Sequence, residues 1–585
     1  MAHAHKLSLL AGTALGLLLV AQGASAQIVN DDYGVPANAP SLDGRGNAAS
    51  GPRDDNGRRN DDDDNGRRNG DDDGNARPHA RVDVSPYIEV GQVLTAELGN
   101  GGDVLTYSSV AVGVDASVAT RRAQLAANVR YERRIAWGDN LRDNDVISGL
   151  ARGRYDLTQG LALEAGALAS RASIDGRGGA SNFGVGDRSN SANIYSIYAG
   201  PTFGRRFGDI DVGAAYRFGY SRSEIEFQPS LTGATRPIGS FDESTNHAAI
   251  ASIGMSPGRL PFGWRVSGGW DRDDAGQLDQ RYDGKFGRLD VTLPVSSSLA
   301  LVGGVGYEDI EVSYRPPLTD VAGAPVVDAN GRLVGDTAQP RTIAFETSGL
   351  IYDAGVQWRP SRRVALEARV GRRYGDTVYT GSATWQASRN TAYQLGIYDN
   401  LSTLGRSLSA GLAALPTDFE VVRNGIDGSL SGCAFGASGG TCLTPALNNA
   451  TGFAFRNRGA TLSMSSRLSD WSVGAAMGYD RRTYVANGLT AIPGLDGTVD
   501  ETWFAFLSAS RALSRDTSFG LSAYATYFDG GLGFDATSAG ASASLSHMFM
   551  PRLQGNAAVS YNAINQDGFN SRAFASALLG MRYSF

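Results

Sequence analysis

The chain ends at residues 573–585 with the stretch Ala-Phe-Ala-Ser-Ala-Leu-Leu-Gly-Met-Arg-Tyr-Ser-Phe. Side chains alternate across a strand, so every second residue counted back from the terminus falls on one face. That face carries Phe585, Tyr583, Met581, Leu579, Ala577 and Ala575. The other face is small or polar, apart from Leu578 and Phe574. The alternation predicts a strand with one apolar face.

The same stretch resembles the C-terminal assembly signal of bacterial outer-membrane β-barrels, which ends in Phe and has another aromatic residue two positions earlier. The resemblance assigns Tyr583 and Phe585 to that signal. It also implies two partners, the barrel assembly machinery and outer-membrane lipid. The edge of a soluble β-sandwich would alternate in the same way, so the remaining strands must decide between the two.

Composition and the first residues narrow the possible locations. The net charge of −7 over 585 residues gives no basis for nucleic-acid binding, which needs a basic patch. Residues 1–26 are predicted to be a signal peptide, because Lys6 precedes a largely apolar run and Ala24-Ser25-Ala26 offers a small-residue cleavage site. No later stretch has the roughly 20 consecutive apolar residues of a transmembrane helix. The mature chain is therefore periplasmic, secreted, or crosses a membrane as strands.

Residues 27–84 are predicted to be a disordered periplasmic segment, since their Asp/Asn/Gly/Arg repeats offer almost nothing to bury. Within them, Asp61, Asp63, Asn65 and Asp72 match part of a calcium-binding loop. The last ligand is Asp rather than Glu, and no flanking helices are predicted. A solvated linker of mixed charge is the favoured interpretation, with a calcium site as the alternative.

Residues 85–585 are predicted to form one β-domain. Segments of roughly 10 to 15 residues alternate apolar and polar positions, which suits tilted membrane strands of about 9–11 residues in the bilayer. The polar linkers alternate between tight turns, such as 157–160 and 359–362, and long connections, such as 316–345 and 402–453. Short turns at one end and long loops at the other are typical of outer-membrane barrels.

The predicted fold is therefore all-β: a transmembrane antiparallel up-and-down β-barrel of about 22 strands that follows a disordered N-terminal segment. Closure is expected because lipid cannot hydrogen-bond an open strand edge. An even strand number places both chain ends at the short-turn side, the periplasm. The predicted location is the outer membrane of a Gram-negative cell, with a periplasmic N-terminal tail.

Two groups of residues are candidates for functional roles. Cys433 and Cys442 are expected to form a disulfide that pins a hairpin inside a surface loop, since both lie in the longest connection and an oxidising compartment favours pairing. Charged side chains recur at positions predicted to face the lumen. They are Arg130, Glu132, Arg134, Arg152, Arg154, Glu367, Arg369, Arg373, Asp480 and Arg482. They would either line a charge-selective pore or form structural ladders of mixed sign.

No enzyme, cofactor or metal-dependent chemistry is predicted. Of the five His residues only His247 and His547 lie in the predicted barrel, and neither belongs to a recognisable nucleophile motif. The glycines of Gly303-Gly304-Val305-Gly306 are interpreted as strand glycines that lumen groups approach closely, rather than as a phosphate loop.

Several segments resemble proteobacterial outer-membrane proteins of the β-barrel porin type that occur near exopolysaccharide systems. They are 129–133, 371–375, 478–482 and the Tyr583-Ser584-Phe585 ending. The resemblance implies a porin-like channel for solute passage or polymer export, with an exopolysaccharide or another solute as cargo. The alternatives are a non-transporting structural or surface-interaction barrel with a closed lumen, or a secretion accessory. A TonB-dependent receptor also has about 22 strands, but that family places a folded plug ahead of its barrel, where this chain has only its low-complexity segment.

Overall fold

A computed structural model of the chain describes residues 81–98, 104–137, 143–174, 191–225, 240–328, 332–437, 439–489, 491–531, 533–568 and 570–585. Its main feature is one closed sheet of 22 strands. The strands before the longest connection are β1 (Arg81–Leu98), β2 (Val104–Ala119), β3 (Ala123–Trp137), β4 (Asn144–Thr158), β5 (Leu161–Ser173), β6 (Ser191–Phe207), β7 (Ile210–Ile225), β8 (Glu243–Met255), β9 (Gly263–Ala275), β10 (Gln280–Pro294), β11 (Leu299–Tyr314), β12 (Thr342–Ser361), β13 (Val364–Arg373), β14 (Asp376–Ser388) and β15 (Thr391–Ser402).

The longest connection contains helix α1 (Leu404–Ala414), three short strands and helix α2 (Thr444–Leu447). The short strands are β16 (Glu420–Arg423), β17 (Leu430–Gly436) and β18 (Gly439–Cys442). The barrel then resumes with β19 (Phe455–Leu468), β20 (Trp471–Tyr484), β21 (Val499–Ala512), β22 (Thr517–Gly530), β23 (Phe534–Met550), β24 (Leu553–Gln566) and β25 (Arg572–Ser584). None of the helices in the described ranges has the length and apolar character needed to span a membrane.

The sheet closes on itself. Each barrel strand pairs antiparallel with its neighbours in the chain, and β15 pairs directly with β19 across the longest connection. The first and last strands complete the ring, with a register that runs from Tyr87 opposite Ser584 to Leu98 opposite Ala573. Closure removes every sheet edge, as a membrane requires. The predicted up-and-down barrel of about 22 strands is confirmed.

The first strand begins earlier than predicted. The boundary at residue 85 falls inside β1, because Arg81 already pairs with Ala119 and Val84 with Ala116 at the end of β2. Residues 81–84 therefore belong to the barrel and not to the segment before it. β2 is long enough to pair with residues 81–84, so these four residues extend β1. The sequence of β1 alone does not reveal this pairing.

The barrel wall has an apolar outer face and a more polar inner face. On the final strand, Leu579 is 70% exposed and Met581 is 45% exposed on the outside. The two exceptions to the alternation, Phe574 and Leu578, point inward and are buried. Leu578 belongs to the same buried apolar cluster as Ile426, a residue of the longest connection. An apolar side chain on the inner face is thus explained by an apolar partner inside the barrel.

The longest connections lie together at one end of the barrel, although that end also has short turns such as residues 374–375 between β13 and β14. At the other end, the turns between β4 and β5, between β12 and β13, and between β19 and β20 each leave only two residues between the strands. At the end with the longest connections, residues 315–328, 332–341, 485–489 and 491–498 fold back over the mouth of the barrel. They bury Leu333, Leu489 and Leu495 in one apolar cluster. Arg332 fixes these folded connections to the barrel, because its guanidinium contacts Asp242 and the carbonyl oxygens of Ser223 and Phe241.

Candidate functional site: a plugged lumen

The connection between β15 and β19, residues 403–454, is called the plug here, and its described residues, 403–437 and 439–454, lie inside the barrel. Its first element, α1, places Leu404, Leu408 and Leu412 on one face at helical spacing, and all three are buried. They cluster with inward residues of the wall, including Leu168 and Ile194. The prediction of a surface loop was wrong. The apolar face of α1 needs a partner that excludes water, and the inner wall of β5–β8 provides it.

The second part of the plug is the small sheet of β16, β17 and β18. Cys433 and Cys442 face each other across β17 and β18 and form the predicted disulfide, with an S–S distance of 2.02 Å. The hairpin that they pin stands in the lumen rather than at the surface. Phe435 of this hairpin stacks on Phe506 of the wall, with ring centroids 6.2 Å apart. Gly474 lies beneath it, where a Cβ would collide with the Phe435 ring.

Polar contacts fix the plug to the wall as well. The Arg423 guanidinium donates to Asn128 Oδ1 at 2.6 Å and to Ser148 Oγ at 2.7 Å, and so bridges to β3 and β4. The Arg406 guanidinium pairs with Asp271 of β9 at 2.5 Å. Each contact joins one plug residue to one wall side chain, and none is covalent.

Burial changes the acid–base properties of two plug residues that lie outside the barrel strands. Desolvation lowers the pKa of Arg423 to about 10, because its hydrogen bonds go to neutral groups. Desolvation raises the pKa of the Asp427 carboxyl, although the nearby Arg134 guanidinium opposes this shift. The Arg134 Nη2 also donates to the backbone carbonyl of Asp427 at 3.0 Å.

The predicted lumen residues of β3 form one continuous ladder. Arg130 lies 2.8 Å from Glu89 of β1 and 3.0 Å from Glu132, and Glu132 lies 2.7 Å from Arg134. The side chains of Arg130, Glu132 and Arg134 are all buried. Positive and negative groups alternate along the ladder, so each buried charge has a counter-charge, as a low-dielectric interior requires.

The other predicted lumen residues form separate clusters. Arg152 and Arg154 share Glu164 of β5, at 3.3 and 2.7 Å. Asp480 pairs with Arg482 at 3.1 Å, and Asp480 also accepts a hydrogen bond from the Tyr398 hydroxyl. The structure thus brings each of these residues to a charged partner but does not join them into one ring.

The remaining three predicted residues, on β13, extend a network that the sequence did not reveal. Arg369 lies 2.6 Å from Glu367 and also contacts Asp290 and Asp353. Arg373 pairs with the fully buried Glu308 at 2.6 Å. The two-residue alternation on the neighbouring strands would have identified Asp290 and Asp353 as further inward-facing charges. Only strand register shows which pairs meet.

A cavity of about 320 Å³ remains beside the plug. It lies between α1 and the inner walls of β4–β11, β13–β15 and β19–β21. Tyr282, Tyr398, Asn457 and Arg217 are among the residues that line it. Aromatic rings and amides together with a few charged groups are the usual lining of a solute site, and the volume falls within the usual range of about 300–1,000 Å³.

Further sequence candidates lie away from this lumen. Tyr583 and Phe585 are exposed on the outer face at the barrel seam, with ring centroids 5.2 Å apart. His247 packs against Phe218 and Trp270, and His547 accepts or donates one hydrogen bond with Thr517. Asp61, Asp63, Asn65 and Asp72 are outside the described residues. Within the described ranges, no group of three or more His, Cys, Asp or Glu side chains is placed to hold a metal ion.

Comparison with known proteins finds similarity in shape alone. No family model and no curated protein matches the sequence. The chain is similar to the open form of the ferric-catecholate import receptor Fiu from E. coli K12, with 12% identity, a TM-score of 0.41, and 87% of this chain and 82% of that chain covered.

Two further solved structures show the same level of likeness. The copper transporter OprC has 11% identity and a TM-score of 0.38, with 86% of this chain and 80% of that chain covered. The alcaligin outer-membrane receptor FauA from Bordetella pertussis has 12% identity and a TM-score of 0.36, with 85% and 76% covered. Values this low assign neither a family nor an activity to the chain.

Proposed function

We propose that this chain is an integral outer-membrane barrel that passes a solute through its lumen when the plug moves. The main observation in support is that the ring of strands is complete without the plug. Ser402 at the end of β15 pairs directly with Phe455 at the start of β19, so the wall is closed before the plug is added. A separate element inside a complete wall can shift without opening a sheet edge.

The apolar exterior supports the membrane part of the proposal. Outward residues are large and apolar on strand after strand, and a ring of 22 strands is wide enough to enclose an aqueous lumen. The short turns would then face the periplasm, together with Arg81 and the tail before it. Outer-membrane lipid and the barrel assembly machinery are the partners that this placement requires.

The non-covalent seating of the plug supports conditional passage rather than a permanently open porin. Apolar packing of α1 and hydrogen bonds from Arg423 and Arg406 hold the plug. Export of a polymer such as an exopolysaccharide is a form of the same activity, with a longer cargo. Both need the plug to leave part of the lumen.

A closed, non-transporting barrel is the second candidate function. The observation in its favour is the pairing of the lumen charges, which resembles a structural filling of the lumen more than a field for selecting ions. This barrel would display its long loops at the cell surface and would never conduct. A secretion accessory would in addition need a partner protein at the periplasmic end.

Conductance across a planar bilayer tests the proposal. Because Ser402 and Phe455 are cross-strand partners, a four-residue Gly/Ser turn can replace residues 403–454. We expect the shortened variant to keep the boiling-dependent gel shift of a folded barrel and to show large, steady conductance. The wild type should show rare openings. A folded shortened variant that conducts no better than the wild type would contradict the proposal.

A second variant separates plug movement from plug removal. Ile426→Cys with Leu578→Cys places two thiols in one apolar cluster, one on the plug and one on β25. Joining them with a short thiol-specific crosslinker should abolish the openings of the wild-type channel. Each single Cys variant, treated in the same way, is the control. Openings that survive the crosslink would favour a path that does not depend on the plug.

A further inference from the structure

Among the described residues that line the cavity beside the plug, one cationic side chain forms no ion pair. The charged lining of the cavity consists of Arg152, Arg217, Lys285, Arg373, Arg406, Arg482, Glu164, Asp271 and Glu308. Lys285 is largely exposed and pairs with Asp283 at 2.8 Å. The pairs Arg152–Glu164, Arg373–Glu308 and Arg406–Asp271 balance, and Arg482 pairs with the adjoining Asp480. Arg217 remains.

Arg217 forms no hydrogen bond and no ion pair within the described part of the chain. It lies on β7, where Tyr216 and Phe218 on either side are exposed on the outer face, so Arg217 points inward. Its guanidinium carbon lies 5.6 Å from the centroid of the Tyr198 ring. Stacking on an aromatic ring holds a guanidinium in place without neutralising its charge.

Neighbouring groups strengthen the positive field at this point. Tyr198 accepts a hydrogen bond from Arg152 Nε at 3.2 Å, so two guanidinium groups contact one tyrosine. Arg152 shares its carboxylate partner, Glu164, with Arg154, and Arg154 also pairs with Asp156 at 3.1 Å. The surroundings of Tyr198 thus hold more cationic than anionic groups, in a lumen that screens charge less than bulk water does.

We propose that the cavity binds a small organic anion whose carboxylate or phosphate oxygens pair with Arg217. The proposal rests on the proposed function, because it names the class of solute that the lumen accepts. A guanidinium binds such groups through two parallel hydrogen bonds, which makes arginine the usual partner for them. Asn246, Asn457 and Gln394, also on the cavity wall, offer neutral partners to the rest of the solute.

Calorimetry on the purified, plug-intact barrel in detergent tests this proposal without requiring transport. Gluconate and sorbitol are the probes, since both are open six-carbon polyols and only gluconate carries a carboxylate. We expect saturable binding of gluconate, weaker binding at higher salt, and no binding of sorbitol. Arg217→Gln should weaken gluconate binding by about tenfold or more, the scale of one charge-assisted hydrogen bond.

Two matched variants complete the experiment. Arg205→Gln removes the same charge from an exposed position near the end of β6 and should leave gluconate binding unchanged. Arg217→Lys keeps the charge and should retain part of the affinity. Each protein is first shown to be folded by its boiling-dependent gel shift. Equal binding of sorbitol, unchanged binding in Arg217→Gln, or no gluconate binding to the folded wild type would each overturn the proposal. A barrel that binds gluconate but never conducts would refute the proposed function alone.

Discussion

The Arg288 guanidinium lies across Gly304 of the neighbouring strand, in the space that a Cβ on Gly304 would occupy. Because Gly304 leaves that space free, Arg288 crosses β11 and reaches Asp353 on β12, at 2.5 Å, while it also contacts Asp290 on its own strand. The interpretation of Gly303-Gly304-Val305-Gly306 as strand glycines that a lumen group approaches is confirmed. Gly304 on β11 thus permits an ion pair between Arg288 of β10 and Asp353 of β12.

Replacing Gly304 should therefore destabilise the barrel. In Gly304→Val the new side chain displaces the buried Arg288 guanidinium from Asp353, which keeps only Arg369 as a partner. Breaking a buried ion pair costs about 3 kcal/mol. The expected result is a lower temperature for the heat-induced gel shift. Gly303→Val is the control, because Gly303 faces the other side of the wall, where a Cβ would lie 3.6 Å from its nearest neighbour atom. Equal shifts in both variants would contradict this account.

Removing Arg423 should loosen the plug. Arg423→Ala deletes the hydrogen bonds to Asn128 and Ser148, each worth about 1 kcal/mol net. We expect roughly tenfold more frequent channel openings in a bilayer, without loss of the folded barrel. Arg467→Ala is the matched control, since Arg467 forms an exposed ion pair with Glu420 that contributes little. Equal opening rates in the two variants would show that Arg423 does not hold the plug.

Acid should favour the seated plug. The pKa of Asp427 is raised when the plug is in place, so the seated carboxyl binds a proton more readily than a solvated one. Between the ordinary pKa and the raised one, lowering the pH therefore stabilises the seated state. Channel openings should become rarer as the pH falls through this window, and Asp427→Asn should abolish that dependence.

Asp418→Asn provides the comparison for Asp427. Asp418 also lies in the plug, where its carboxylate accepts a hydrogen bond from the Ala437 amide. We expect this variant to keep the wild-type pH dependence of opening. A pH response that survives in Asp427→Asn and disappears in Asp418→Asn would show that Asp427 is not the group that titrates.

Deleting Phe585 should impair assembly. The Phe585 amide donates to the Pro86 carbonyl oxygen at 3.0 Å, which makes it the last bond of the seam between β25 and β1. Its exposed ring, with that of Tyr583, also belongs to the assembly signal that the resemblance assigns. We expect folded protein in the outer-membrane fraction to fall to a small part of the wild-type amount, measured by the boiling-dependent gel shift. Phe585→Tyr keeps an aromatic terminus and should assemble normally.

Periodicity in the sequence was sufficient to predict the wall. A strand has a two-residue repeat, so apolar residues such as Leu579 and Met581 identify the outer face without knowledge of any partner strand. The same parity predicted that Arg130, Glu132 and Arg134 lie on the inner face of β3, where the structure buries them. Local patterns of this kind depend on neighbours in the chain and are readable from it.

The tertiary structure alone decided what fills the barrel. Residues 403–454 have no strand periodicity that points to the lumen, and the apolar positions of α1 show only that some surface must cover them. Leu578 and Ile426 lie far apart in the chain and meet only because β25 closes the ring beside the plug. Which side chain compensates a buried charge, and which cavity Arg217 faces, depends on strand register and long-range packing. Those relations arise only after the ring has closed.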